Sequence, residues 1–161
     1  MQDATRLLLE DEWIDLIITS PPYFNKQTYA WDNWLRLWFL GYDFKVIRKQ
    51  LFQSGSVDKF LEFMSDSLKE MYRVLKNDSS CFIVIGDVTL GNRTVITAEL
   101  LAKLAESIGF KVSRIINDPI PRERKYFMFI PADKGVRMDR ILELAKGTTH
   151  ENQASLPWIK A

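Results

Sequence analysis

The residues best equipped for chemistry are Thr19-Ser20-Pro21-Pro22-Tyr23, which directly follow the apolar run Ile14-Asp15-Leu16-Ile17-Ile18. The Ser20 hydroxyl and the carbonyls around the two prolines form a cluster of hydrogen-bond acceptors. The pyrrolidine rings fix φ and make that cluster rigid. Tyr23 adds an aromatic face. A planar exocyclic NH₂ on a base can donate to such acceptors while its ring lies against the aromatic. Those bonds draw the nitrogen toward tetrahedral geometry and free its lone pair for in-line attack on an activated methyl group. The work is positioning and electrostatic preorganisation, with no covalent intermediate. The plainer alternatives are that the prolines only terminate a strand and that Tyr23 is a core aromatic.

The elements around this string determine where it sits. Trp13 to Thr19 is a short apolar run without alternation, which predicts a strand buried on both faces of a parallel sheet. Residues 31–53 read as helical, broken near Gly41, with Trp34, Leu35, Trp38, Phe39 and Leu40 as a broad apolar face. Trp34 and Trp38, four apart, are expected in the core. Val57 to Leu75 carries apolar residues at three- and four-residue spacing, from Phe60 through Met64, Leu68 and Met71, and predicts a long amphipathic helix. Lys76 to Ser79 reads as its closing turn. Cys81 to Asp87 is the second buried strand, with Cys81 as a small core residue. Thr97 to Ile108 is a further amphipathic helix ended by Gly109. Phe110 to Ile116 and Tyr126 to Ile130 read as a third and a fourth strand, joined through a Pro119-Ile120-Pro121 loop, and Met138 to Lys146 as a last helix.

Strands alternating with helices predict an α/β fold, mostly parallel, with an antiparallel hairpin at one edge. Ligands of such sheets lie beyond the carboxyl ends of the strands. Ser20 to Tyr23 and Asp87 are both expected there. Asp87 either faces a ligand or caps the next turn. Residues 1–146 form the expected domain, and 147–161 have no period and read as a mobile tail.

Composition excludes several classes. Lys plus Arg is 22 and Asp plus Glu 21, a net charge of +1, so the chain is not a basic nucleic-acid coat. A local basic cluster of Arg114, Arg122, Arg124 and Lys125 reads either as a solvated loop or as a phosphate contact. One cysteine and one histidine exclude a disulfide framework and predict no metal site. No apolar run reaches the ~18 residues a membrane span needs. With no signal peptide at Met1 to Arg6, a cytoplasmic setting is expected. The seven glycines include no G-x-G pair, so the chain carries no glycine-rich nucleotide loop.

Asp15 to Tyr23 resembles motif IV of the S-adenosylmethionine-dependent DNA amino-methyltransferases, in which Asp, Asn or Ser precedes Pro-Pro-aromatic. The serine form is most similar to the enzymes that methylate the exocyclic amine of cytosine. Met71 to Asp87 resembles the helix and strand that follow the motif, and the segment from Phe110 to Phe129 resembles the family's closing hairpin, so the likeness spans roughly residues 3–130. It implies a Rossmann-like methyltransferase sheet, S-adenosylmethionine as cofactor, DNA as partner, and a setting in restriction-modification. Ser20, Pro21, Pro22 and Tyr23 would be catalytic. Asp3, Thr19 and Asp87 would face the cofactor, although Asp3 also reads as a solvated N-terminal acid. Tyr29 and Trp31 would wall the base pocket, and Arg122 and Arg124 would touch the nucleic acid. The family's Phe-x-Gly-x-Gly cofactor turn has no counterpart here. The resemblance therefore implies a partial domain, completed by a second chain or segment or by a homodimer, or else a non-catalytic relic. An RNA or adenine amino-methyltransferase is the rival enzyme reading.

Overall fold

A computed structural model describes residues 3–23, 29–52, 55–90, 93–120 and 138–147. Strand β1 (Ile14–Thr19) is followed by three short helices, α1 (Tyr29–Asp32), α2 (Trp34–Phe39) and α3 (Phe44–Gln50). The long helix α4 (Val57–Val74) leads straight into β2 (Leu75–Gly86). Then come β3 (Val88–Leu90), β4 (Arg93–Val95), α5 (Thr97–Ile108), β5 (Lys111–Pro119) and β6 (Met138–Ala145). The main sheet has the order β1-β2-β6-β5, with β3 and β4 as a separate antiparallel pair. β1 and β2 are parallel, whereas β6 runs antiparallel to both of its neighbours. The sheet is therefore mixed, with one parallel pair, β1–β2, and two antiparallel pairs, β2–β6 and β6–β5.

Two helices cover one face of this sheet. Phe60, Met64, Leu68 and Met71 form the buried stripe of α4, and Leu101 and Ala105 that of α5. They meet Cys81, Ile83 and Ile85 of β2 and Leu142 and Leu144 of β6 in a single core. Cys81 is the small core residue expected, and burial pushes its thiol up to about 12. Gly109 ends α5 at φ 123°. That φ strains any residue with a side chain, and a Cβ there would also sit tightly, 3.1 Å from the Tyr72 phenol oxygen, so glycine is favoured on both counts.

Met138 to Lys146, expected to be helical, is mostly strand β6. Its partners decide this: Cys81↔Leu144 and Ile83↔Leu142 on one side, Ile115↔Leu142 on the other. An inner strand must satisfy both neighbours' backbone groups, which overrides local helix propensity. The turn expected at Lys76 to Ser79 is a bulge inside β2. Pairing jumps from Ile14↔Leu75 to Leu16↔Ser80, and Asp78 takes φ 61°. The strand expected at Tyr126 to Ile130 lies outside the described residues, as does the tail from residue 148 onward.

β1 is not buried on both faces. Among the described residues it is an edge strand, and Leu16 and Ile18 are 50% and 69% exposed. They share a face with half-buried Phe82, Val84 and Ile141 and exposed Ile116, and none of these belongs to the α4–α5 core. Trp34 and Trp38 are not in the core either, being 52% and 68% exposed. α2 is only six residues long, and its indoles border a surface hollow shared with Trp31, Tyr42 and Phe44.

Two clasps tie distant segments together. Lys146 is buried, and its ammonium donates to the carbonyls of Tyr72 (2.9 Å) and Leu75 (2.8 Å) at the end of α4 and to Glu12 (3.3 Å). Arg73 donates to the carbonyls of Leu7 and Leu9 and to Asp11, while Glu70 accepts from the Leu7 N–H at 2.9 Å and from Arg73. Arg73 and the Leu7 amide hold the Glu70 carboxyl at about 2, against an ordinary 4.5. A depressed carboxyl stabilises the fold above its unfolded value and loses that contribution as pH falls through the folded one. Acid titration should therefore release the strap at residues 7–12 between pH 4.5 and 2. The protection factor of the Leu7 amide should fall as pH is lowered across that window in the native protein and stay level there in Glu70→Gln.

Candidate functional site

β1 ends because Pro21 and Pro22 lack backbone donors, and the chain turns away at the strand's carboxyl end. The turn faces an open cleft of about 800 Å³. Ser20, Pro21, Pro22 and Tyr23 line one side, Tyr29, Asn33 and Leu37 of α1–α2 a second, and Ile47 of α3 with Phe52 a third; Ile120 and Asp139 close the sheet end. Ser20 is exposed, Pro21 is buried, and Pro22 and Tyr23 are half-buried. Phe52 is anchored by stacking on Phe63 of α4, with ring centroids 4.2 Å apart.

Tyr23 is held at both ends. Its N–H donates to the Tyr29 phenol oxygen at 2.8 Å, and its own phenol donates to Asp139 Oδ1 at 3.1 Å. Partial burial, reinforced by the Asp139 carboxylate, pushes the phenol up to about 12, so it keeps its proton across the neutral range. The pair Tyr23–Asp139 joins the end of β1 to the start of β6.

Asp87, just beyond β2, is locked as well. Both its carboxylate oxygens accept from Arg140, each at 2.8 Å, and its N–H donates to the Met138 carbonyl. Arg140 also donates to Asn117 at 2.6 Å. This bidentate pair is nearly buried. Consecutive residues of β6 thus hold the two strand ends: Asp139 takes Tyr23 and Arg140 takes Asp87.

The cleft does not gather every residue singled out by the sequence. Tyr29 lines it; Trp31 instead packs on Phe44, centroids 4.9 Å apart, beside the neighbouring hollow. Thr19 is the last residue of β1 and pairs with Ile83. Asp3 is turned inward on its own segment, accepting from the Thr5 N–H at 2.9 Å and the Thr5 hydroxyl at 2.8 Å, which lowers its pKa. Arg114 pairs with Glu143. Arg122 and Arg124 lie outside the described residues. Among the described residues no three His, Cys, Asp or Glu side chains cluster as metal ligands, and no helix is long and apolar enough to cross a membrane. Asp139, Arg140 and Asn117 escaped the sequence reading. The only available signal was that Asp139-Arg140 immediately precedes a run able to alternate as a strand.

A family model described as DNA methylase, of the N6 and N4 type, matches residues 14–144. The type II methyltransferase M.SfiI of Streptomyces fimbriatus is 28% identical over 116 residues, which are 68% of this chain and 24% of that protein. The fold resembles that of a Thermus thermophilus protein assigned as a DNA modification methylase and crystallised with S-adenosyl-L-methionine. There the TM-score is 0.58 at 17% identity, over 90% of this chain and 53% of that one. It also resembles the PvuII DNA methyltransferase, named cytosine-N4-specific, with a TM-score of 0.55 at 14% identity over 90% of this chain and 47% of that one. At these identities the structural likeness speaks for the fold. The chain spans about half the length of these structures and about a quarter of M.SfiI.

Proposed function

This chain belongs to the DNA methylase family, and from that premise we propose that it captures a DNA base, cytosine by preference, and presents its exocyclic amine for methylation by S-adenosylmethionine, as part of a larger assembly. The observation that carries the reading is the Ser20-Pro21-Pro22-Tyr23 turn facing an open cleft at a strand end. Ser20 is exposed and lines it, in side-chain contact with the Tyr23 phenol, which Asp139 holds in place. Ser20 and the proline carbonyls would accept from the amine, while Tyr23 stacks on the base. The base must leave its duplex to reach them. Serine at the first position, and the name of the PvuII relative, favour cytosine over adenine.

The cofactor is a different matter. S-adenosylmethionine would supply the methyl group, yet the described residues do not make a site for it on their own. Asp3 is occupied by Thr5 and Asp87 by Arg140, and the sequence has no glycine-rich turn through which backbone could approach the ligand. Among the described residues the outer edge of β1 is unpaired and the face around Leu16 and Ile18 is uncovered, which fits a further segment or chain that continues the sheet and brings that turn. Calorimetry of the chain alone should show no micromolar binding of S-adenosylmethionine. Clear micromolar binding would mean that this chain, or its homodimer, is complete. Expression of the gene with its neighbouring frames in a host without DNA methylation, followed by nucleoside mass spectrometry, tests the product. N4-methylcytosine supports the reading, N6-methyladenine corrects the base, and an unmodified genome favours the second reading, a non-catalytic subunit that keeps the fold.

A further inference from the structure

Asp139 is one of two consecutive β6 residues that reach the strand ends, and its neighbour Arg140 is committed to Asp87. Asp139 itself sits on an inner strand, paired with Gly86 of β2 and Asp118 of β5. Ladders on both sides make it a fixed point. Its contact with the Tyr23 phenol ties the motif turn to the far side of the cleft.

We propose that Asp139 is a positioning residue that presets the Tyr23 ring as a stacking face for the incoming base. The inference rests on the base-capture reading above. Tyr23 packs against the edge of the core yet stays half-buried, so part of its ring faces the cleft and its polar contacts set how that part is presented. Tyr29 holds its backbone end and Asp139 its phenol end, leaving the ring plane between two anchors. A ring already ordered loses less freedom when the base arrives, and affinity gains by that difference. The carboxylate acts through the phenol and needs no contact with the base.

The test is a double-mutant cycle on a fluorescent single-stranded oligo-dC probe, which removes the work of opening a duplex. Asp139→Ala and Tyr23→Phe should each weaken binding roughly two- to tenfold, the scale of ordering one more side chain on binding. The double variant should bind no worse than Tyr23→Phe alone, because that change already removes the phenol's bond to Asp139 along with its contact to Ser20. Asp139→Asn, which keeps an acceptor oxygen, should restore most of the affinity. In ¹³C-tyrosine-labelled protein the Tyr23 ring signals should move in Asp139→Ala and return in Asp139→Asn. An Asp139→Ala protein that binds like wild type, or one that weakens binding equally in the Tyr23→Phe background, overturns the proposal. Wild-type protein that binds no oligo-dC overturns base capture itself, and this inference with it, whatever the ring signals do.

Discussion

If Ser20 activates the target amine as proposed, Ser20→Ala should lower turnover about a hundredfold in the complete assembly while leaving DNA affinity nearly unchanged. The proposed contact of the hydroxyl with the amine would strengthen as nitrogen becomes tetrahedral, so its loss should be felt in the transition state and hardly at all in the bound complex. Removing one such preorganised group typically costs ~3 kcal/mol in the barrier. Ser20 is exposed at the cleft and belongs to no core cluster, so the fold should tolerate the change. Tyr23→Ala should behave differently. It deletes a stacking surface worth about 1–3 kcal/mol per base, so affinity falls along with rate. Turnover and affinity measured on both variants separate the roles. Unchanged turnover in an active Ser20→Ala enzyme would assign activation of the amine to another group.

The second large effect concerns stability. Lys146→Ala should destabilise the fold by about 2–4 kcal/mol, because it orphans buried helix-end carbonyls as well as leaving a hole. The affected acceptors are the Tyr72 and Leu75 carbonyls. The ammonium also lies 4.8 Å from the centre of the Tyr72 ring, against the end of α4 where the helix dipole favours a cation. Lys146→Met refills the space without the donors and should recover only part of the loss. Glu12→Gln should change little, since Glu12 is half exposed and such pairs contribute at most about 1 kcal/mol. Urea unfolding of the three variants, with slopes unchanged, checks the ranking. Equal stability of Lys146→Ala and wild type would show that water replaces the ammonium at those carbonyls.

The sequence was most legible where local signals agreed with tertiary demand. α4 follows from Phe60, Met64, Leu68 and Met71, and Gly109 marks the end of α5 because only a positive φ lets the chain turn under Tyr72. Ser20 to Tyr23 was legible because two prolines after an apolar run leave few backbone options. β6 was misread because Ile141, Leu142 and Leu144 fit a helical stripe as well as a strand, and only its two neighbours decide. The tryptophans misled for the opposite reason. Trp34 and Trp38 share a helical face, but among the described residues no element covers that face. Asp139 could not be connected with Tyr23 from local pattern at all, since no periodicity reaches from one to the other.

That separation has a cost in time. Tyr23 and Asp139 lie 116 positions apart. At about 5–20 residues per second, roughly 6–23 s pass on the ribosome between synthesis of the two. During that interval β1 and β2 can pair and α4 can pack, but the strand that locks both ends of the cleft does not yet exist. The nascent chain therefore carries its motif unanchored, beside a sheet edge that β6 has yet to occupy. Contacts of such long sequence span form late and slowly. The site is thus completed only with β6, near the end of synthesis of the described fold, and codon choice or a pause between residues 120 and 138 would lengthen its exposure without altering a single contact in the finished protein.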